Sequence, residues 1–158
     1  MLPGTPPSPD AFPGLARLLR RRPQLDPAAA ELLLVLRMKA GPRFIPAEEF
    51  AAHIGLSSRF ALIRRLKHLK LPPFSRLHAQ IRVLAMLAET ERHQVSLSRL
   101  AWCHEGDPAS WLRVVKRVTG LSWSELSKCG MAWLVDQIEV RLWGGAITGR
   151  EDFWRCSE

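Results

Sequence analysis

The 158-residue chain is long enough for one domain or two very small ones, and 47% hydrophobic residues can supply a core. No window approaches the ~20 apolar residues of a membrane span, and the N-terminus lacks the basic-then-apolar order of a signal peptide, so a cytoplasmic protein is expected. A net charge of +8 favours an anionic partner, while three scattered cysteines (Cys103, Cys129, Cys156) without CxxC spacing argue for free thiols over a disulfide framework.

Met1 to Pro9 holds four prolines and a glycine and reads as disordered. Phe12, Leu15, Leu18 and Leu19 are helically spaced beside Arg17, Arg20, Arg21 and Arg22. Two readings stay open there: a short helix docked by its leucines with solvated arginines, or an extra phosphate-contacting arm. Asp26-Pro27 is a cap followed by a proline at the first helical position, and Ala28 to Met38 is too apolar for a surface helix. Gly41-Pro42 ends it. Pro46 to Ile54 follows as a short amphipathic helix, Gly55 as a turn, and Ser57 or Ser58 as the cap of a helix reaching about Leu69. Leu71-Pro72-Pro73 breaks the chain, and Phe74 to Ala88 reads as one helix of about 22 Å. Val95 to about Cys103 is the next short helix, and Ser122 opens a last long one to about Trp143, with Leu126, Trp133, Leu134, Ile138 and Leu142 facing the core. Gly144-Gly145 stops it ahead of a tail carrying Phe153 and Trp154.

The most informative stretch is Asp107 to Ser122. Asp107 and Pro108 start a helix, Trp111, Val114, Val115 and Val118 form one apolar stripe, and Gly120 closes it. Ala109, Arg113 and Lys116 fall on the opposite side, with Arg117 at the margin. Ser58 to Lys67 aligns on Asp107 to Lys116 without a gap, placing Arg64 on Arg113, Leu62 on Trp111 and Leu66 on Val115. Each copy follows a short amphipathic helix, so the pattern is a tandem helix-turn-helix in an all-α fold.

From Asp26 to Arg141 the chain resembles the double-motif DNA-binding domain of the AraC/XylS family of bacterial regulators, most specifically at Arg113-Val-Val-Lys-Arg-Val-Thr-Gly-Leu-Ser122. The second turn, Cys103-His104-Glu105-Gly106, is one residue shorter than the family pattern, and Trp123 replaces a usual proline. The resemblance implies two subdomains, 26–72 and 91–143, joined by a linker helix at 73–90, with segments 1–25 and 144–158 outside them. It also implies a monomer that places two recognition helices in successive major grooves of double-stranded DNA, ~34 Å apart.

The family's base-reading positions map onto Phe60, Ile63 and Arg64, and onto Ala109, Leu112 and Arg113, with Arg59 flanking. Arg65, Lys67, His68, Lys70, Lys116 and Arg117 are the candidate phosphate contacts. Arginine can read guanine through two hydrogen bonds, whereas Phe60 and Ile63 can touch thymine methyls. The apolar members of this set carry the alternative, an adaptor that binds RNA polymerase, a sigma factor or another regulator. Charge is split between the halves: Phe50 to Ala88 has seven Lys/Arg and no Asp/Glu, whereas Glu89 to Leu142 has seven of each sign. His104 beside Cys103 lacks further ligands at zinc spacing, and no nucleophile, P-loop or dinucleotide motif is present, so neither metal, cofactor nor enzyme activity is expected.

Overall fold

The computed structural model describes residues 8–143. The expectations for residues 1–7, for the Gly144-Gly145 stop, for Cys156 and for the tail aromatics lie outside the described residues. Within them the protein is all-α: a 3-10 turn at Pro9–Ala11, then α1 (Pro13–Arg20), α2 (Pro27–Ala40), α3 (Ala47–His53), α4 (Arg59–His68), α5 (Phe74–His93), α6 (Leu97–Cys103), α7 (Pro108–Thr119) and α8 (Trp123–Trp143).

Local chemistry sets most of these boundaries. Asp26 Oδ1 accepts from Ala28 N at 2.8 Å, and Asp107 accepts from Ala109 N and Ser110 N, both at 3.2 Å, so each satisfies amides that the first helical turn leaves free. Ser58 is the cap of α4, accepting from Ala61 N at 3.2 Å. At the other ends, Gly41 (φ 56°) and Gly120 (φ 75°) take up the left-handed half of backbone space where α2 and α7 stop.

α5 is the axis of the fold. α2, α4, α6, α7, α8 and α1 all pack on it, α3 packs on α4, and α6 on α7. Ile81, Val83, Ala85 and Met86 have no exposed surface, and the buried apolar side chains form one cluster from Leu15 to Leu142. α5 is longer than its sequence pattern suggests, 20 residues or about 30 Å. Its extension holds because Glu89 meets Arg37 of α2 at 3.7 Å, Thr90 Oγ1 donates to Met86 O at 2.9 Å, and Gln94 ends the helix with φ 51°.

α8 is the last long helix expected to about Trp143, but Gly130 breaks it with φ 82° and ψ 179°. Leu126 before the break and Leu134, Ile138 and Leu142 after it are buried, while Trp133 is half-buried against the core. α1 docks by Leu15 and Leu18 across α5 and α8, as its leucine spacing implies. Of the four arginines beside those leucines, Arg17 is exposed, as the solvated reading has it, whereas Arg20 meets Asp10 at 3.5 Å, Arg21 pairs with Asp136 and Glu139, and Arg22 meets Glu139 at 3.3 Å. The pairs of Arg21 and Arg22 join the end of α1 to α8. Cys103 is free and exposed, whereas Cys129 is disulfide-bonded, contrary to the expectation of free thiols.

Candidate nucleic-acid interface

The sequence repeat reappears as repeated geometry. In the first copy, Leu56 N donates to Ala51 O at 2.8 Å across the turn between α3 and α4; in the second, Gly106 N donates to Ala101 O at 2.8 Å between α6 and α7. Phe50 and Ala51 are buried in one copy, Leu100 and Ala101 in the other. On the following helices Leu62 and Leu66 match Trp111 and Val115, all at most 4% exposed, which confirms the ungapped register.

Seven positions separate Ala51 from the cap Ser58 and six separate Ala101 from the cap Asp107, so the second turn is shorter. The left-handed residue is Gly55 (φ 77°) in the first turn but Glu105 (φ 57°) in the second. Packing explains the displaced glycine. A Cβ at position 106 would stand 2.6 Å from Trp111 Nε1, so the indole takes the space that any side chain there would need.

All thirteen candidate contact residues are exposed: Arg59, Phe60, Ile63, Arg64, Arg65, Lys67, His68 and Lys70 on or just after α4, and Ala109, Leu112, Arg113, Lys116 and Arg117 on α7. Their inward neighbours Leu62, Leu66 and Leu69 are buried, so α4 has the two-sided character that the stripe implies. The candidates do not share one surface, however. Phe60, Arg64 and Lys67 recur at helical spacing on the outer side of α4. Arg65 instead lines a groove of about 300 Å³ with Glu31 and His53, between α2 and α4. His68 and Lys70 line a separate hollow of about 330 Å³ with Arg22 and Trp143.

Three of the cations have partners within the protein, two of them in exposed pairs and one in the core. Arg59 meets Glu48 of α3 at 3.6 Å and lies over the Phe60 ring at 5.0 Å. Arg113 meets Asp107 at 3.8 Å. Arg82, one of the seven cations of the basic half, is buried within the fold. Arg64, Arg65, Lys67, Lys70, Lys116 and Arg117 have no carboxylate partner among the described residues. The basic surplus of the first half is therefore real but smaller than the sequence count.

Large apolar side chains stand among these cations. Phe60 is 58% exposed, Ile63 43% and Leu112 44%. Trp102, on the outer side of α6, is 70% exposed, and its exposure was hidden in sequence because it continues an apolar-looking segment. Among the described residues there is no cluster of three or more His, Cys, Asp or Glu suited to a metal, and no helix long and apolar enough to cross a membrane. Comparison with protein-family models, curated proteins and solved structures finds no match for this chain.

Proposed function

We propose that the protein is a sequence-specific, double-stranded-DNA-binding transcription regulator of the AraC/XylS type, built from two helix-turn-helix subdomains and acting as a monomer in the bacterial cytoplasm. α4 and α7 are its recognition helices, entering successive major-groove segments. The observation that carries this reading is the repeated helix pair: two copies with the same turn hydrogen bond and the same buried register, each presenting an exposed helix with cations. A helix buried behind and cationic in front, held by a tight turn on a supporting helix, is the geometry that fits a major groove.

Arg64 and Arg113 are the readers able to hydrogen-bond base edges, Phe60 and Ile63 contact thymine methyls, and Lys67, Lys116 and Arg117 meet phosphates. No cofactor or catalytic step enters this reading. The test is the salt dependence of binding to a duplex. Each phosphate contact should contribute about −0.9 to the slope of log K against log salt, so several contacts give a steep negative line. A slope near zero would refute the reading.

The exposure of Phe60, Ile63, Leu112 and Trp102 supports a second reading, an adaptor that docks on RNA polymerase, a sigma factor or another regulator. Under it, binding to duplex DNA is weak at every salt concentration, whereas replacing Phe60 and Leu112 by serine abolishes the protein contact.

A further inference from the structure

Arg82 belongs to the run of cations that the sequence leaves without acids, yet it is only 6% exposed on the packed side of α5. A guanidinium at that depth loses hydration and is retained only with compensating contacts. Those contacts lie in two other parts of the fold. Its Nε donates to Pro42 O at 3.0 Å, in the loop between α2 and α3. Its guanidinium carbon is 5.9 Å from the ring centroid of Trp111, the core residue of α7. Burial, reinforced by the like charge of Arg117 on α7, draws its pKa down to about 10, which leaves it cationic at neutral pH.

The anchor is prepared one turn earlier. His78 is 2% exposed, and its Nε2 meets Arg43 O at 3.3 Å in the same loop. α5 thus grips the 41–45 loop at two successive turns, and at Arg82 the grip extends to α7. The far side of that contact is itself fixed, since the Trp111 indole is wedged against Gly106.

We infer that Arg82 is a positioning residue that ties the loop leading into α3 and α4 to Trp111 of α7, and so fixes how the two exposed helices are set relative to each other. The tie stands on packing alone; its consequence, a fixed spacing between two DNA half-sites, rests on the function proposed above. Arg82 on this account touches no phosphate.

The experiment places nitroxide labels at His68→Cys and Lys116→Cys in a Cys103→Ser background and measures the distance distribution by pulsed electron paramagnetic resonance. With Arg82 present the distribution should be single and narrow. Arg82→Met should make it about twofold broader, because a packed link between rigid elements is released, with Arg82→Lys intermediate. An unchanged width in Arg82→Met overturns the inference. Should Arg82→Met fail to fold, Arg82→Lys and the unmodified chain decide it: the Arg82 Nε–H should exchange with solvent at least about tenfold slower than that of Arg64, and equal rates overturn it. Unlabelled Arg82→Met and Arg82→Lys chains, with His68 and Lys116 intact, are titrated with duplex DNA. Arg82→Met should leave the salt slope unchanged, whereas a loss of about one would make Arg82 a phosphate contact instead. Absence of DNA binding beside a narrow, Arg82-dependent distribution counts against the proposed function and leaves the tie intact.

Discussion

Arg64→Ala and Arg113→Ala, compared in one binding assay, distinguish the two halves of the molecule. The residues occupy equivalent positions on α4 and α7, and both are exposed. They differ in surroundings. Among the described residues Arg64 has no carboxylate partner, whereas Arg113 meets Asp107 at 3.8 Å, and Asp107 also caps α7. A bidentate arginine–guanine contact is worth ~1–3 kcal/mol, so Arg64→Ala should weaken the best site by roughly 5- to 150-fold. Arg113 must first leave a surface pair worth ~0.2–1 kcal/mol, and its net contribution is lower by that amount, about 1.4- to 5-fold in affinity. Its neighbours Ala109 and Leu112 offer base edges no hydrogen bonds, and specificity should therefore concentrate under α4. Fluorescence anisotropy on a selected site and on random duplex, at several salt concentrations, gives both losses. Equal or larger loss at Arg113, or an Arg64→Ala loss identical on specific and random DNA, refutes the reasoning.

Three further outcomes follow from the geometry. Lys67→Ala should weaken all sequences alike and lower the salt slope by about one, read from the same titrations; a sequence-selective loss would make Lys67 a base reader. Trp111→Ala should cost ~3–5 kcal/mol in urea unfolding followed by circular dichroism, because the side chain is 4% exposed beneath Gly106 and Arg82; a cost under ~1 kcal/mol would show that the site collapses around the cavity. His78 has its pKa lowered to about 4 by burial, set against 6.5 when unfolded. The folded state therefore binds fewer protons than the unfolded one between those values, and the stability present above pH 6.5 should fall as pH drops towards 4, by about 3 kcal/mol in all. His78→Gln should flatten that part of the unfolding profile; an unaltered profile would assign the acid sensitivity to other groups.

The parts of the fold legible in the sequence are those written in neighbouring residues. Asp26-Pro27 and Asp107-Pro108 announce helix starts because the capping oxygen and the amides it satisfies lie two or three residues apart. The stripe of α7 and its match to α4 were readable because periodicity alone separates Trp111 and Val115 from Arg113 and Lys116. What escaped was set by distant partners. Arg21 and Arg22 look like a free basic run until Asp136 and Glu139 of α8 are brought beside them. Arg82 looks like a surface cation until Pro42 and Trp111 close around it. The polar run Glu89 to His93 falls beyond the apolar pattern of α5, and nothing local reveals that Arg37 of α2 lies opposite Glu89. The reading of one long helix from Ser122 to about Trp143 makes no use of Gly130, although a glycine inside a helical pattern weakens the case for continuity.

The most direct test of a two-helix DNA reader is selection of the purified chain against a pool of random duplexes, followed by sequencing of the bound fraction. The account predicts one enriched site with two parts centred about one helical turn, ~34 Å, apart, and with greater information in the part that loses enrichment in Arg64→Ala. A bound pool without sequence enrichment, or a single short motif indifferent to both Arg64→Ala and Arg113→Ala, would contradict it.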